Sequence, residues 1–317
     1  MSLQKRTHKE YYWVYLIALK LGCEVYNSKT EIIQNVSSFF KQNFADSYNR
    51  SSTELQLFEY KDFKLLACRF KKTLFLAIRG TDNFINILRD VDFKLTNFGM
   101  GNEKVHSGFK SFFREGLSKM DKAIDWAGSK VDKIVFTGHS LGGATAQLAY
   151  FHYSWINKDR TIKKNKSTDC VTLGSPRVGC NNFKKTFELM ISPITRYGRF
   201  VATDKNDSKK DDLVTTLPPF FTHPVNCQRI SIVSDKINIT DSDIDQTKTT
   251  NVLETHDNER YFNAVKVYLE KIQDDKNEVN GLLGIFLILL FAFFLSLKFG
   301  ILLITILIIL IILNKYI

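Results

Sequence analysis

An α/β fold, with a mostly parallel central sheet flanked by helices, is what this sequence predicts, and two observations carry the prediction. Short β-prone runs alternate with helix-length amphipathic stretches from about residue 10 to residue 272, the pattern that buries a parallel sheet between two helical layers. Midway, the apolar run Lys133-Ile134-Val135-Phe136-Thr137 passes through Gly138-His139-Ser140-Leu141-Gly142-Gly143 into a helix-prone stretch, Ala144 to Tyr150. A G-x-S-x-G between strand and helix is a turn too tight for side chains two residues either side of the serine. It leaves the serine Oγ exposed at the tip. Ser140 is therefore read as a catalytic nucleophile.

The elements follow in order. Apolar residues at helical spacing predict two helices within residues 10–44, over Tyr12–Leu21 and Ile32–Phe44. Phe63–Phe70 and Thr73–Ile78 flank Lys71-Lys72 as a hairpin. Ser107–Trp126 is a long amphipathic helix, with Phe109, Phe112, Phe113, Leu117, Met120 and Ile124 on one stripe. The helix after Ser140 runs to about Trp155, and a polar insert, Asn157–Thr168, precedes a strand at Cys170–Leu173. Arg199–Ala202 and Gln228–Val233 read as strands, Ser234–Thr250 as a polar surface loop, and Asp257–Ile272 as a closing helix.

A chain of 317 residues holds one large domain and a small appendage. The boundaries expected are a domain over 1–273, a polar joint at 274–280, and a membrane anchor at 281–317. From Gly281 to Leu313 nearly every residue is apolar, which a core helix with one buried face would not be. One helix of that length would reach about 50 Å, against a hydrocarbon core of roughly 30 Å. Lys298-Phe299-Gly300 therefore marks a break, and a hairpin of Leu282–Leu297 and Phe299–Leu313 is favoured over one tilted transmembrane span.

The net charge is +11, with basic clusters at Lys158-Asp159-Arg160, Lys163-Lys164-Asn165-Lys166 and Lys209-Lys210. On an anchored protein these suit anionic lipid headgroups. No nucleic-acid motif accompanies them, so no nucleic-acid partner is expected. Five scattered cysteines without a C-x-x-C pair fit reduced thiols and argue against a disulfide scaffold or a zinc site. Tyr11–Leu21 imitates a signal peptide but contains Lys20 and lacks a small-residue cleavage site, so it is assigned to the domain. The expected location is a membrane, or a lipid-droplet surface, with the catalytic domain facing the cytosol.

A serine nucleophile needs a base, and the base needs an acid to orient it. On this type of fold the order along the chain is serine, then acid, then histidine. Of six histidines, His223 and His256 lie beyond Ser140 with room for an acid before them. The residues alone leave both open.

Six blocks narrow the choice. Ala77-Ile78-Arg79-Gly80-Thr81, Val105-His106-Ser107-Gly108-Phe109, the serine turn and Leu173-Gly174-Ser175-Pro176-Arg177-Val178-Gly179 come first. Asp211-Asp212-Leu213-Val214-Thr215-Thr216-Leu217-Pro218-Pro219 and Thr255-His256-Asp257, with Tyr261-Phe262, complete the series. In this combination residues 12–272 resemble the class 3 lipases, the fungal-lipase-like branch of the α/β-hydrolases. The resemblance implies the α/β-hydrolase fold and a serine lipase or esterase that cleaves acyl esters of glycerolipids, with no metal or organic cofactor. It places Asp212 as the triad acid and His256 as the base. His223 falls where the family's histidine is not the base, and His106 and His139 flank the site as packing groups.

The resemblance further implies an oxyanion hole from the backbone N–H groups of Thr81 and Leu141. It puts a lid after the Arg-Gly-Thr turn, where Phe84, Ile85, Ile87 and Leu88 form an apolar cluster; a short buried helix is the competing reading. One departure is that Thr215 stands where the family commonly has proline, with Asp211 adjacent to the acid. The partners implied are a lipid ester and a membrane. A phospholipase A, a lipid transacylase on the same triad, and a non-catalytic membrane-docking module are the alternatives.

Overall fold

Two helices lead the chain into its sheet. In the computed structural model, described for residues 12–44, 53–81, 94–98, 101–158, 166–190, 197–202, 212–224, 227–233, 236–242, 256–257, 261–263 and 266–267, helix α1 spans Tyr12–Glu24 and α2 spans Lys29–Asn43. Val14 to Leu19 of α1 are all buried, as expected of a helix apolar on most faces. Helix α2 starts with a capping box: Ser28 Oγ accepts from the Glu31 amide at 3.4 Å, and the Ser28 amide donates to Glu31 Oε2 at 2.9 Å. Its buried stripe, Ile32, Val36, Phe39 and Phe40, repeats at helical spacing.

The sheet comprises β1 (Thr53–Tyr60), β2 (Phe63–Phe70), β3 (Thr73–Ile78), β6 (Lys133–His139), β7 (Ser167–Leu173), β8 (Tyr197–Ala202), β9 (Cys227–Val233) and β10 (Lys236–Ser242), hydrogen-bonded in that order. Strands β3, β6, β7, β8 and β9 run parallel, while β1, β2 and β10 are antiparallel additions at the two edges. A small hairpin, β4 (Leu95–Asn97) with β5 (Lys104–His106), leads into helix α3 (Ser107–Ala127). Helix α4 (Leu141–Lys158) follows β6, and α5 (Asn181–Met190) lies between β7 and β8.

Alternation along the strands assigns the two faces. Phe63, Leu65 and Ala67 of β2, Leu74, Leu76 and Ile78 of β3, and Ile134 and Phe136 of β6 form one buried cluster with α3 and α4. The intervening residues face α1. Trp13 packs edge-on against Phe70 and Phe75, and the Thr137 hydroxyl donates to the Ala18 carbonyl at 3.0 Å. The doubly covered parallel sheet matches the predicted fold class.

Several elements differ from the sequence reading. Where composition predicts a polar loop over Ser234–Thr250, residues Lys236–Ser242 pair with β9, and an edge strand is where polar residues are tolerated in a sheet. Strand β1 has no counterpart in that reading, because TELQLFEY is half-exposed at the opposite edge and pairs on one side only. Helix α5 likewise has no counterpart in the sequence reading, although Phe183, Phe187 and Met190 repeat at helical spacing. Of the closing helix, residues 261–263 and 266–267 are helical.

The described residues fall within one unit, Glu10–Tyr268. Among them no helix is long and apolar enough to cross a membrane. The lid cluster Phe84, Ile85, Ile87 and Leu88, the basic residues 159–165 and 209–210, the joint at 274–280 and the anchor at 281–317 lie outside the described residues.

Candidate active site

The candidate chemistry gathers at the C-terminal ends of β3, β6, β7 and β8, the edge where open α/β sheets bind ligands. Ser140 sits between β6 and α4 at φ 57°, a left-handed conformation that costs a non-glycine residue on the order of 1–3 kcal/mol. The backbone holds it there. Its amide donates to the Leu173 carbonyl at 3.0 Å, and its carbonyl accepts from Gly143 and Ala144 at 2.9 and 3.2 Å, which starts α4 at once.

The glycines around it are required by close approach. A Cβ at Gly142 would lie 2.0 Å from the Ile78 carbonyl oxygen, and one at Gly138 would lie 2.5 Å from the Gly142 carbonyl carbon. The turn and the end of β3 thus touch backbone to backbone, and this contact is the physical content of the G-x-S-x-G spacing.

Asp212 and His256 come together from separate segments. His256 Nδ1–H donates to Asp212 Oδ2 at 2.7 Å, and the carboxylate is fully buried. Asp212 is itself fixed at both ends. Its amide donates to the Ala202 carbonyl at 2.9 Å, and its Oδ1 accepts from the Val214 amide at 3.0 Å as the cap of a short 3-10 turn. The Tyr261 hydroxyl donates to Asp212 Oδ2 at 2.6 Å and accepts from the Ala202 amide at 2.9 Å. The acid is therefore held immobile by hydrogen bonds on both oxygens.

Contrary to the exposed tip expected of the turn, Ser140 Oγ is buried, as is His256 Nε2, and among the described residues neither has a hydrogen-bond partner. The serine–histidine contact is open in this structure; such contacts often tighten only when substrate is bound.

The two oxyanion candidates lie beside the serine. Leu141 opens α4, so its amide is one of the unpaired N–H groups at a helix N-terminus. Thr81 follows the Arg79-Gly80 turn at the end of β3 and is partly exposed. The Tyr26 phenol pins that turn: it accepts from the Gly80 amide at 3.1 Å and donates to the His139 carbonyl at 3.3 Å. Tyr26 and Tyr261 have no place among the sequence-derived site residues. Tyr26 carries no local signal, being more than a hundred positions from the elbow it braces, while Tyr261 stands out only as part of the Tyr-Phe pair after His256.

The remaining histidines are separated by their surroundings. The His139 ring lies 4.4 Å from that of His256, tilted by 34°. Burial, and then the neighbouring charge of His256, hold the His139 pKa well below its ordinary 6.5. His223 is buried with Nε2 donating to the Thr215 carbonyl at 2.6 Å; burial and then the Arg199 guanidinium push its pKa down. It braces the Asp212 turn. His106 is buried against Phe109 and Phe221 at 4.3 and 5.7 Å. Among the described residues, His256 is the histidine that hydrogen-bonds to an acid near Ser140.

A doubly covered parallel sheet, with a strained serine on a strand–helix elbow and a buried Asp–His pair at neighbouring strand ends, is the arrangement of the α/β-hydrolase fold. Residues 75–222 match the family model of the class 3 lipases. The lipase of Rhizopus niveus is 29% identical over 187 residues, 57% of this chain and 44% of that relative. The secreted mono- and diacylglycerol lipase 1 of Fusarium solani is 30% identical over 159 residues, 47% of this chain and 40% of the relative. The chain thus spans less than half the length of these curated relatives. The solved structure of lipase II from Rhizopus niveus shares the fold, with a TM-score of 0.53 at 20% identity, covering 79% of this chain and 93% of that one. Over these stretches the chain is similar to the class 3 lipases.

Proposed function

We propose that the chain is a serine ester hydrolase acting on acylglycerols, carried on a membrane by residues 281–317. The observation that carries the reading is Ser140 at φ 57° on the elbow, with the His256–Asp212 hydrogen bond of 2.7 Å at the adjoining strand ends. The substrate class is supported by the Fusarium relative, whose name gives mono- and diacylglycerols.

Ser140 Oγ attacks the acyl carbonyl while His256 Nε2 takes its proton, and Asp212 holds the resulting imidazolium. The oxyanion is met by the amides of Leu141 and Thr81, each worth about 2.7–4 kcal/mol in such sites. The carbonyl–oxygen bond to the leaving alcohol breaks as His256 returns the proton to that oxygen. Water, deprotonated by His256, then attacks the acyl-enzyme, and collapse releases the fatty acid and restores the serine hydroxyl.

The apolar cluster Phe84, Ile85, Ile87 and Leu88 covers the site as a lid and turns toward lipid at an interface. The tail seats the domain on the cytosolic side of a membrane or droplet, and the basic residues favour anionic headgroups.

The test is acyl release from mono-, di- and triacylglycerols and phospholipids in mixed micelles, for the wild type and Ser140→Ala. Release from acylglycerols, lost in the variant, is expected. Preference for phospholipid would move the assignment to a phospholipase A, and product esters formed with an added lipid alcohol would move it to a transacylase. No reaction from folded protein would sink the enzymatic reading in favour of docking. For the anchor, alkaline extraction of membranes should leave the full chain in the pellet. Equal extraction of the full chain and a chain ending at residue 280 would remove that part of the proposal.

A further inference from the structure

A cavity of about 260 Å³ lies between α3 and α4, away from the strand ends. Its apolar walls are Phe98, Phe113, Leu117, Phe151 and Trp155. Phe151, His152 and Trp155 lie 11 to 15 residues beyond Ser140 along α4, roughly 16–22 Å at helical rise. The cavity therefore does not belong to the serine site.

Two cations stand among its polar groups. Lys110 and Arg114 stand one turn apart on α3, and Arg114 is exposed, which puts the cations on the solvent side. Like charges at this spacing work against a helix by a few tenths of a kcal/mol. Among the described residues neither has a carboxylate partner: Lys110 Nζ donates to the Asn97 carbonyl, and Arg114 forms no ion pair. Burial and then the Arg114 charge lower the Lys110 pKa.

Glu103, the acid in the lining, is otherwise engaged, its Oε1 accepting from the Thr186 hydroxyl at 2.8 Å and its Oε2 folded over Gly101. His152 packs edge-on to Phe113 at 5.5 Å, and burial keeps it neutral with an N–H to donate.

We infer that this cavity binds one fatty-acid anion, its chain on the aromatic wall and its carboxylate between Lys110 and Arg114. The volume is just below the roughly 300–1,000 Å³ of drug-sized sites, which admits one chain and excludes a di- or triacylglycerol. The unpaired cations supply the complement for a single negative head. The choice of a fatty acid rests on the ester-hydrolase reading, whose product it is. The acid binds there while the serine site is free to turn over.

Trp155 makes the site directly observable. Brominated stearate, titrated below its critical micelle concentration into the full Ser140→Ala chain, should quench Trp155 fluorescence, and Trp155→Phe should remove that quenching. Lys110→Glu with Arg114→Glu should weaken binding by about tenfold or more, the scale of one lost charged hydrogen bond. The methyl ester of the same acid should lose as much. Because Arg114 is exposed, Arg114→Glu alone serves if the double variant does not fold. Quenching that survives Trp155→Phe, or affinity indifferent to both charge reversal and esterification, would overturn the inference. The binding measurement uses a chain without its nucleophile, so it stands whatever the acyl-release assay finds.

Discussion

The proposed nucleophile and its proposed acid–base partners are held by different means. Ser140 is placed by one contiguous run, β6 into α4, whose geometry comes from backbone contacts: two glycines against the end of β3 and a left-handed serine. Asp212, His256 and Tyr261 come from short segments spread over some fifty residues and meet through side-chain hydrogen bonds of 2.6 and 2.7 Å. The first half tolerates no added atom, and the second tolerates no lost polar contact. A site divided in this way responds to steric and to electronic changes at different places.

The largest effect should come from the electronic half. Asp212→Asn preserves shape but offers the wrong partner to His256 Nδ1–H, and kcat should fall by about 10⁴-fold with the fold intact. Steady-state hydrolysis of a soluble ester, beside a circular dichroism spectrum, measures both; a loss under tenfold would remove Asp212 from the mechanism. The steric half is probed by Gly142→Ala. Its Cβ would meet the Ile78 oxygen at 2.0 Å, so stability should drop by about 3 kcal/mol or more, along with activity. A normal denaturation midpoint would show that the elbow has slack.

Tyr261→Phe should be milder. Loss of one hydrogen bond to a buried carboxylate costs about 1.5–3 kcal/mol, expressed as a 10- to 100-fold lower kcat with KM little changed. An altered KM at unchanged kcat would mean that the phenol supports binding and not the acid.

The most gradual effect is in pH. His139 and His223 are held neutral in the folded chain, with pKa values below their ordinary 6.5, so under that pH the unfolded chain binds more protons. Stability should be full above about pH 6.5 and fall as the pH drops, by about 1.4 kcal/mol per unit for each histidine until its folded pKa is reached. Urea melts at pH 7.5, 6 and 5 read the slope, and His139→Gln should remove one share of it. A flat profile would contradict the buried neutral assignment.

The same division governs what was legible in the sequence. Gly138, Ser140 and Gly142 are readable because local chain geometry demands those residues at that spacing, and the parallel sheet is readable because its strands are apolar on both faces. Spacing alone could not decide between His223 and His256, since which one meets an acid depends on how the chain folds over β7 and β8. The resemblance to a family supplied His256. Nothing local marks Tyr26, whose phenol acts on Gly80 and His139 far along the chain. The edge strands β1 and β10 were hidden by their polarity, which suits a sheet margin and a loop equally well.

The pairing of Ser140 with His256 also has a consequence in time. At 5–20 residues per second of synthesis, the base leaves the ribosome roughly 6–23 seconds after the nucleophile, and Tyr261 follows it. A nascent chain can therefore form its sheet through β7 and seat its serine while holding no group able to take the proton. On the proposed mechanism the half-made protein is chemically silent, and its reactivity switches on only as the stretch just ahead of the apolar tail is made.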